Sequence, residues 1–127
     1  MVERININRL PCFEEKTPVE RLNQHLQKNR ELMPHEVAGV TGCKLEEAMQ
    51  LLMLLFHLEA AELLLLVYHN DHLTTPAEAR PIADGYPPLP FKCSLCEEDI
   101  SDEDELSYDF LFILNRDIVL EANHGTK

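Results

Sequence analysis

Four residues of the chain have the types and spacing to hold a metal ion. His69 and His72 form an H-x2-H pair, Cys93 and Cys96 form a C-x2-C pair, and twenty residues separate the pairs. Two such pairs are a ligand set for a structural zinc site. A two-residue knuckle turns the backbone tightly enough to aim both side chains at one ion. Two thiolates and two neutral imidazoles balance the charge of a divalent cation, so the ion tolerates burial. Four good ligands leave no position for water, which points to a structural Zn2+ rather than a catalytic one. Asp71 is placed to orient a ligating imidazole. Surface histidines with an unrelated pair of thiols are the plain alternative. A redox reading of Cys93-Ser94-Leu95-Cys96 is weaker, because an acidic turn and a strand follow it where a thioredoxin-like motif has a helix.

The remaining histidines, His25, His35, His57 and His124, have no partner at ligand spacing. Cys12 and Cys43 read as small buried hydrophobes. No hydrolase triad, phosphate-binding loop or glycine-rich fingerprint is present, so the chain is expected not to be an enzyme and to have no small-molecule substrate. The acidic run from Glu97 to Glu105 lacks the glycine of an EF-hand calcium loop.

The elements that must position the quartet follow from hydrophobic spacing. At 127 residues with 45% hydrophobic content, the chain suits one domain or two small ones, with a real core. Ile5 and Ile7 permit a short strand. Thr17-Pro18-Val19-Glu20 predicts a helix start with Thr17 as cap, running from Pro18 to about Arg30, with Val19, Leu22 and Leu26 on one face. Pro34 opens a short second helix with Val37 and Ala38 buried, and Thr41-Gly42 makes a turn. A third helix spans about Lys44 to His57, its inner face being Leu45, Ala48, Leu51, Leu52, Leu55 and Leu58. The apolar run Leu51–Val67 carries His57, Glu59 and Glu62 and reads as a buried helix followed by a strand, not as a membrane span. Five prolines between residues 76 and 90 make residues 73–92 an extended connector. Residues 106–114 alternate as a strand with one apolar face, Leu106, Tyr108, Phe110, Phe112 and Leu114, and a short strand from Ile118 to Leu120 precedes the tail.

Helix, short helix, glycine-containing turn, longer helix, then strand is a helix-turn-helix pattern. The words MPHEVAGVTG and LEEAMQLLMLLFHLEA, followed by a strand, resemble the winged-helix modules of bacterial and archaeal regulators. Ala60-Ala61 stands where such modules usually carry a small glycine before the wing. The two knuckles resemble a zinc ribbon in which His69 and His72 replace two of the usual four cysteines, and Glu97 stands where ribbons often place glycine. The expected fold is therefore α+β: a winged helix-turn-helix over residues 1–68, followed by a small zinc-ribbon-like β subdomain over residues 69–127. A winged helix followed by a zinc ribbon resembles the arrangement in general transcription factors of the TFIIE-alpha type. That resemblance implies an adaptor role and carries no catalytic residue.

Charge decides between the two functions this fold allows. The net charge is −12, and residues 48–127 hold −11 of it, with fifteen acidic and four basic side chains. A nucleic acid repels such a surface and could approach only the N-terminal third, through Arg4, Arg9, Lys16, Arg21, Lys28 and Arg30. The third helix presents Lys44, Glu46, Glu47, Gln50, Met53 and His57, an acidic and apolar set unlike a helix that reads bases. Lys44, Glu47, Gln50, Met53 and His57 are the expected partner-binding residues, with Phe56 beside them. The expectation is a non-enzymatic zinc-binding adaptor that docks on a larger protein complex or on a second copy of itself. The alternative is a winged-helix DNA-binding transcriptional regulator. The sequence shows no apolar leader, and a reducing cytoplasm is the expected setting.

Overall fold

The computed structural model describes residues 2–7 and 10–122; Arg9 and His124, and the tail from residue 123, lie outside the described residues. In chain order the elements are β1 (Glu3–Asn6), a 3-10 turn (Pro11–Glu14), α1 (Lys16–Lys28), β2 (Glu31–Leu32), α2 (Pro34–Thr41), α3 (Leu45–His57), β3 (Ala61–His69), β4 (Glu78–Pro81), a 3-10 turn (Ile82–Asp84), β5 (Phe91–Lys92), β6 (Asp99–Ile100), a 3-10 turn (Glu103–Glu105), β7 (Leu106–Leu114) and β8 (Ile118–Glu121). The fold class is α+β.

These elements form two compact units. One takes in the chain up to Glu62 and again from Phe112; the other is Leu63–Leu111. The division passes through two long strands, β3 and β7, which are neighbours in one sheet, with β4 on the other side of β3.

In the first unit, α1 starts two residues earlier than expected. Glu15 is the flanking residue and no side chain caps it, so Thr17 and Pro18 lie inside the first turn. Proline is tolerated there because the first N–H groups of a helix have no intrahelical partner. Val19, Leu22 and Leu26 are buried as the spacing requires. Asn23 is polar and half-buried, and it reaches across to β8. Its amide nitrogen donates to the Leu120 carbonyl at 3.0 Å and its oxygen accepts from the Leu120 N–H at 2.9 Å. The side chain thus pairs with β8 as a strand would, and β8 in turn runs parallel to β1.

Helix α2 opens at Pro34, with the Met33 N–H donating to Glu36 Oε1 at 3.1 Å, and it closes on Gly42, whose φ of 78° is the left-handed conformation glycine adopts without strain. Helix α3 is capped by the Lys44 N–H donating to Glu47 Oε1 at 2.9 Å. Ala48, Leu51, Leu52 and Leu55 form its buried stripe. Leu45 and Leu58, expected on that stripe, are 56% and 47% exposed, since one is the first helical residue and the other the C-cap. The helix ends in a Schellman motif: Ala60 N–H donates to the Leu55 carbonyl and Glu59 N–H to that of Phe56. Glu59 holds the left-handed position with φ 60°, where glycine is the usual residue.

Cys12 and Cys43 are not separate buried hydrophobes. The turn after α2 returns beside the 3-10 turn that precedes α1, and the two cysteines form a disulfide with Cα atoms 5.9 Å apart. Among the described residues no helix is long and apolar enough to cross a membrane. The Leu51–Val67 run divides into the end of α3 and most of β3, as its carboxylates require.

The second unit is small and strongly acidic, with eleven Asp and Glu against Arg80 and Lys92. Strand β4 lies antiparallel to β3 in the register Leu65↔Arg80 and Val67↔Glu78, while β5 and β6 form a hairpin pairing Phe91 with Ile100. Leu65, Val67, Phe91, Cys93, Ile100 and Leu106 make its core, flanked by Ala77, Ile82, Tyr108 and Phe110. A central cluster of six buried side chains is small for a unit of this size, which is the situation in which small folds rely on a metal or a disulfide.

Candidate metal centre

The two expected knuckles are both formed, and both lie in the second unit. The first follows β3: the chain turns so that His72 N–H donates to the His69 carbonyl at 2.7 Å. The second follows β5: Glu97 N–H donates to the Cys93 carbonyl at 2.7 Å, and Cys93 N–H to the Glu98 carbonyl at 2.9 Å. The second turn needs a left-handed residue, and Glu97 supplies it at φ 62°, so the departure from glycine noted in the sequence falls on a strained backbone position.

One ligand atom from each of His69, His72, Cys93 and Cys96 lies within 4.8 Å of the other three. The four residues could therefore bind one metal ion. His69 Nδ1 is 3.5 Å from Cys96 Sγ. Tetrahedral zinc with ordinary Zn–S and Zn–N bonds separates a sulfur and a nitrogen ligand by about 3.6 Å, so this edge already has the zinc spacing. The rings of His69 and His72 meet edge-on at 5.5 Å.

Burial is graded across the quartet. Cys93 is 0% and His69 1% exposed, His72 is half-buried and Cys96 is exposed. Burial pushes the Cys93 thiol up, but the N–H groups of Leu95 and Cys96 and the side chains of His69 and Cys96 outweigh it, and the net shift is downward. For Cys96, a backbone hydrogen bond at Glu98 pulls down. Desolvation and the neighbouring Cys93 and Glu98 push up, and the net shift is upward. The two sulfurs thus bias one another in opposite directions, and a metal would need both deprotonated.

Sequence spacing missed the residues that hold the first knuckle. Asn70, between the two histidines, donates from its backbone N–H to the Glu105 carbonyl and from Nδ2 to the Asp104 carbonyl, both at 2.9 Å, and its Oδ1 accepts from Ser107 Oγ at 2.5 Å. The acidic run is thereby a splint for the knuckle: Asp102 caps its own 3-10 turn by accepting from Asp104 N–H at 2.9 Å, which aims the carbonyls at Asn70. Nothing in the sequence pairs Asn70 with residues more than thirty positions away. Asp71 lies where the spacing put it, with Oδ2 3.7 Å from His69 Nε2, and Glu98 Oε2 joins it at 3.6 Å.

The expected partner-binding residues divide. Gln50, Met53 and His57 line an open groove of about 970 Å³ in the first unit, with Ile7, Met49, Leu54 and Leu58. Lys44 and Glu47 instead close the start of α3 on each other. Compared with known protein families, curated proteins and solved structures, the chain matches none.

Proposed function

We propose that the protein is a non-enzymatic adaptor whose acidic subdomain is folded around one structural zinc ion, and that it docks on a larger protein complex through the groove of α3. The observation that carries the reading is the quartet itself: two thiols and two imidazoles gather within 4.8 Å of one another, and one edge, His69 Nδ1 to Cys96 Sγ at 3.5 Å, has the length of a tetrahedral zinc edge.

The order α1, β2, α2, α3, β3 and β7 supports a winged helix. Strand β2 pairs antiparallel with β7 (Leu32↔Phe112), and β7 neighbours β3. On this reading the zinc-ribbon-like segment stands between the two wing strands in the chain rather than after them. The TFIIE-alpha-like arrangement remains a proposal resting on element order and on the two knuckles.

The groove favours a protein partner. It follows α3 for about 20 Å, three to four turns, and its floor is methionine and leucine. Methionine adapts its shape to an apolar insert, so an amphipathic helix of the partner is the fitting occupant. Glu46 at one end of the groove would meet a basic residue of that helix. The DNA-regulator alternative is less well supported, because Arg4, Lys16 and Arg30 already face Glu121, Glu20 and Asp117 at 2.9, 3.9 and 2.5 Å. Native mass spectrometry is expected to show one zinc per chain, absent after Cys96→Ser. A labelled duplex at low salt is expected not to bind, and a stoichiometric protein that co-purifies from the native host is expected to be lost with Met53→Glu. A folded, metal-free wild type would sink the zinc reading, and tight salt-sensitive duplex binding would sink the adaptor reading.

A further inference from the structure

The imidazole of His69 has two nitrogens pointing in opposite directions, and the structure gives them different company. Nδ1 faces the thiol of Cys96 at 3.5 Å. Nε2 faces two carboxylates, Asp71 Oδ2 at 3.7 Å and Glu98 Oε2 at 3.6 Å. Each knuckle supplies one of them: Asp71 lies two residues after the first histidine, and Glu98 two residues after the second cysteine. The ring itself is 1% exposed, while both carboxylates are largely exposed.

We infer that His69 binds the ion through Nδ1, and that Asp71 and Glu98 are positioning residues that keep the proton on Nε2. The inference rests on the zinc reading above. Neutral imidazole carries one proton, and the nitrogen that keeps it cannot be the ligand. Two carboxylates beside Nε2 favour the tautomer with hydrogen there, which leaves the Nδ1 lone pair free toward the thiolates. The same carboxylates stabilise the partial positive charge that develops on the ring when its other nitrogen donates to a cation. A metal on Nε2 would instead sit among His69, Asp71 and Glu98, an all-oxygen-and-nitrogen set that wastes both thiols. Zinc prefers sulfur, so the thiol side wins.

Glu98 has a second hold on the site, since its backbone carbonyl accepts the Cys93 N–H. Its side chain and main chain therefore link the two knuckles through His69 on one side and Cys93 on the other. Substituting the side chain leaves the main-chain bond in place, which separates orientation from folding.

The test uses the full chain. With 15N-histidine and 113Cd in place of zinc, metal–nitrogen coupling is expected at Nδ1 of His69; coupling at Nε2 would overturn the assignment. In a chelator competition, Asp71→Asn with Glu98→Gln is expected to weaken zinc binding by about ten- to a hundredfold, nearer the lower end because both carboxylates are largely exposed. Asp99→Asn, equally acidic but not facing His69, is the control and is expected to leave affinity unchanged. A double variant that binds zinc as tightly as the wild type would remove the positioning role. A wild type that binds no metal through its cysteines would defeat the zinc reading and this inference together. Binding through the cysteines with Nε2 ligation would defeat this inference alone.

Discussion

Replacing Cys96 by serine separates the contribution of the ion from that of the core. Cys96 is exposed, so Cys96→Ser removes a ligand and almost no packing. Cys93 is fully buried among Leu65, Val67, Phe91, Ile100 and Leu106, so Cys93→Ser removes a ligand and also buries a hydroxyl. An ion held by the quartet would join His72 to Cys93 across the twenty-residue connector. Treated as a cross-link, closing a loop of that length is worth about 3 kcal/mol. Losing it should lower the opening free energy of the second unit by that amount, which is roughly a hundredfold in amide protection. Cys93→Ser should cost a further 1–3 kcal/mol or so for the unsatisfied buried hydroxyl. The assay is hydrogen exchange before and after chelation. The amides of Asn70, Cys93 and Glu97, which close the knuckles, should lose protection, whereas those of Asn29, Gly42 and Ala48 in the helical unit serve as the internal reference. Protection of the knuckle amides that is unchanged once one equivalent of zinc has demonstrably been removed would refute a structural ion. Equal effects of Cys93→Ser and Cys96→Ser would refute the division between ligand and core.

Three further outcomes follow from particular contacts. Glu59→Gly, at the left-handed end of α3, is expected to raise the unfolding free energy measured by denaturant titration by about 0.5–1 kcal/mol, because the backbone conformation is kept and the Cβ clash removed. Reduction of Cys12–Cys43, or Cys12→Ser with Cys43→Ser, opens a crosslink spanning 31 residues. It should cost roughly 3–4 kcal/mol by loop entropy, and thiol titration of the metal-free unfolded chain without reductant should find only Cys93 and Cys96. Asn70→Ala removes the side-chain bonds to Asp104 and Ser107 and is expected to cost about 1–2 kcal/mol and weaken zinc in chelator competition; an affinity matching wild type would show that the splint is not needed.

The disulfide bears on where the chain works. Cysteine pairs persist where the surroundings oxidise thiols, and a reducing compartment keeps them open. A thiol count on protein isolated under non-reducing conditions therefore tests the expected cytoplasmic setting along with the bond itself. In a reducing setting, Cys12 and Cys43 would lie as neighbouring thiols beside the capped start of α3, where Glu47 is held by the Lys44 N–H.

Local order was legible in the chain wherever a short-range rule applies. Apolar residues three and four apart placed α1 and α3, Pro34 and Gly42 bounded α2, and strict alternation marked β7. The H-x2-H and C-x2-C spacings pointed to all four members of the quartet, because a knuckle is a local turn with two residues between its candidate ligands. Tertiary structure decided what pairs residues far apart in sequence. It set Asn70 on the carbonyls of the acidic run, Glu98 beside the ring of His69, Cys12 against Cys43, and Asn23 on the edge of β8. It also placed the division of the chain inside β3 and β7, where no composition shift signals it. The reason is physical: periodicity and turn chemistry act over a few bonds, whereas a hydrogen bond or an ion pair between distant segments depends on how the intervening elements pack, which no spacing along the chain encodes.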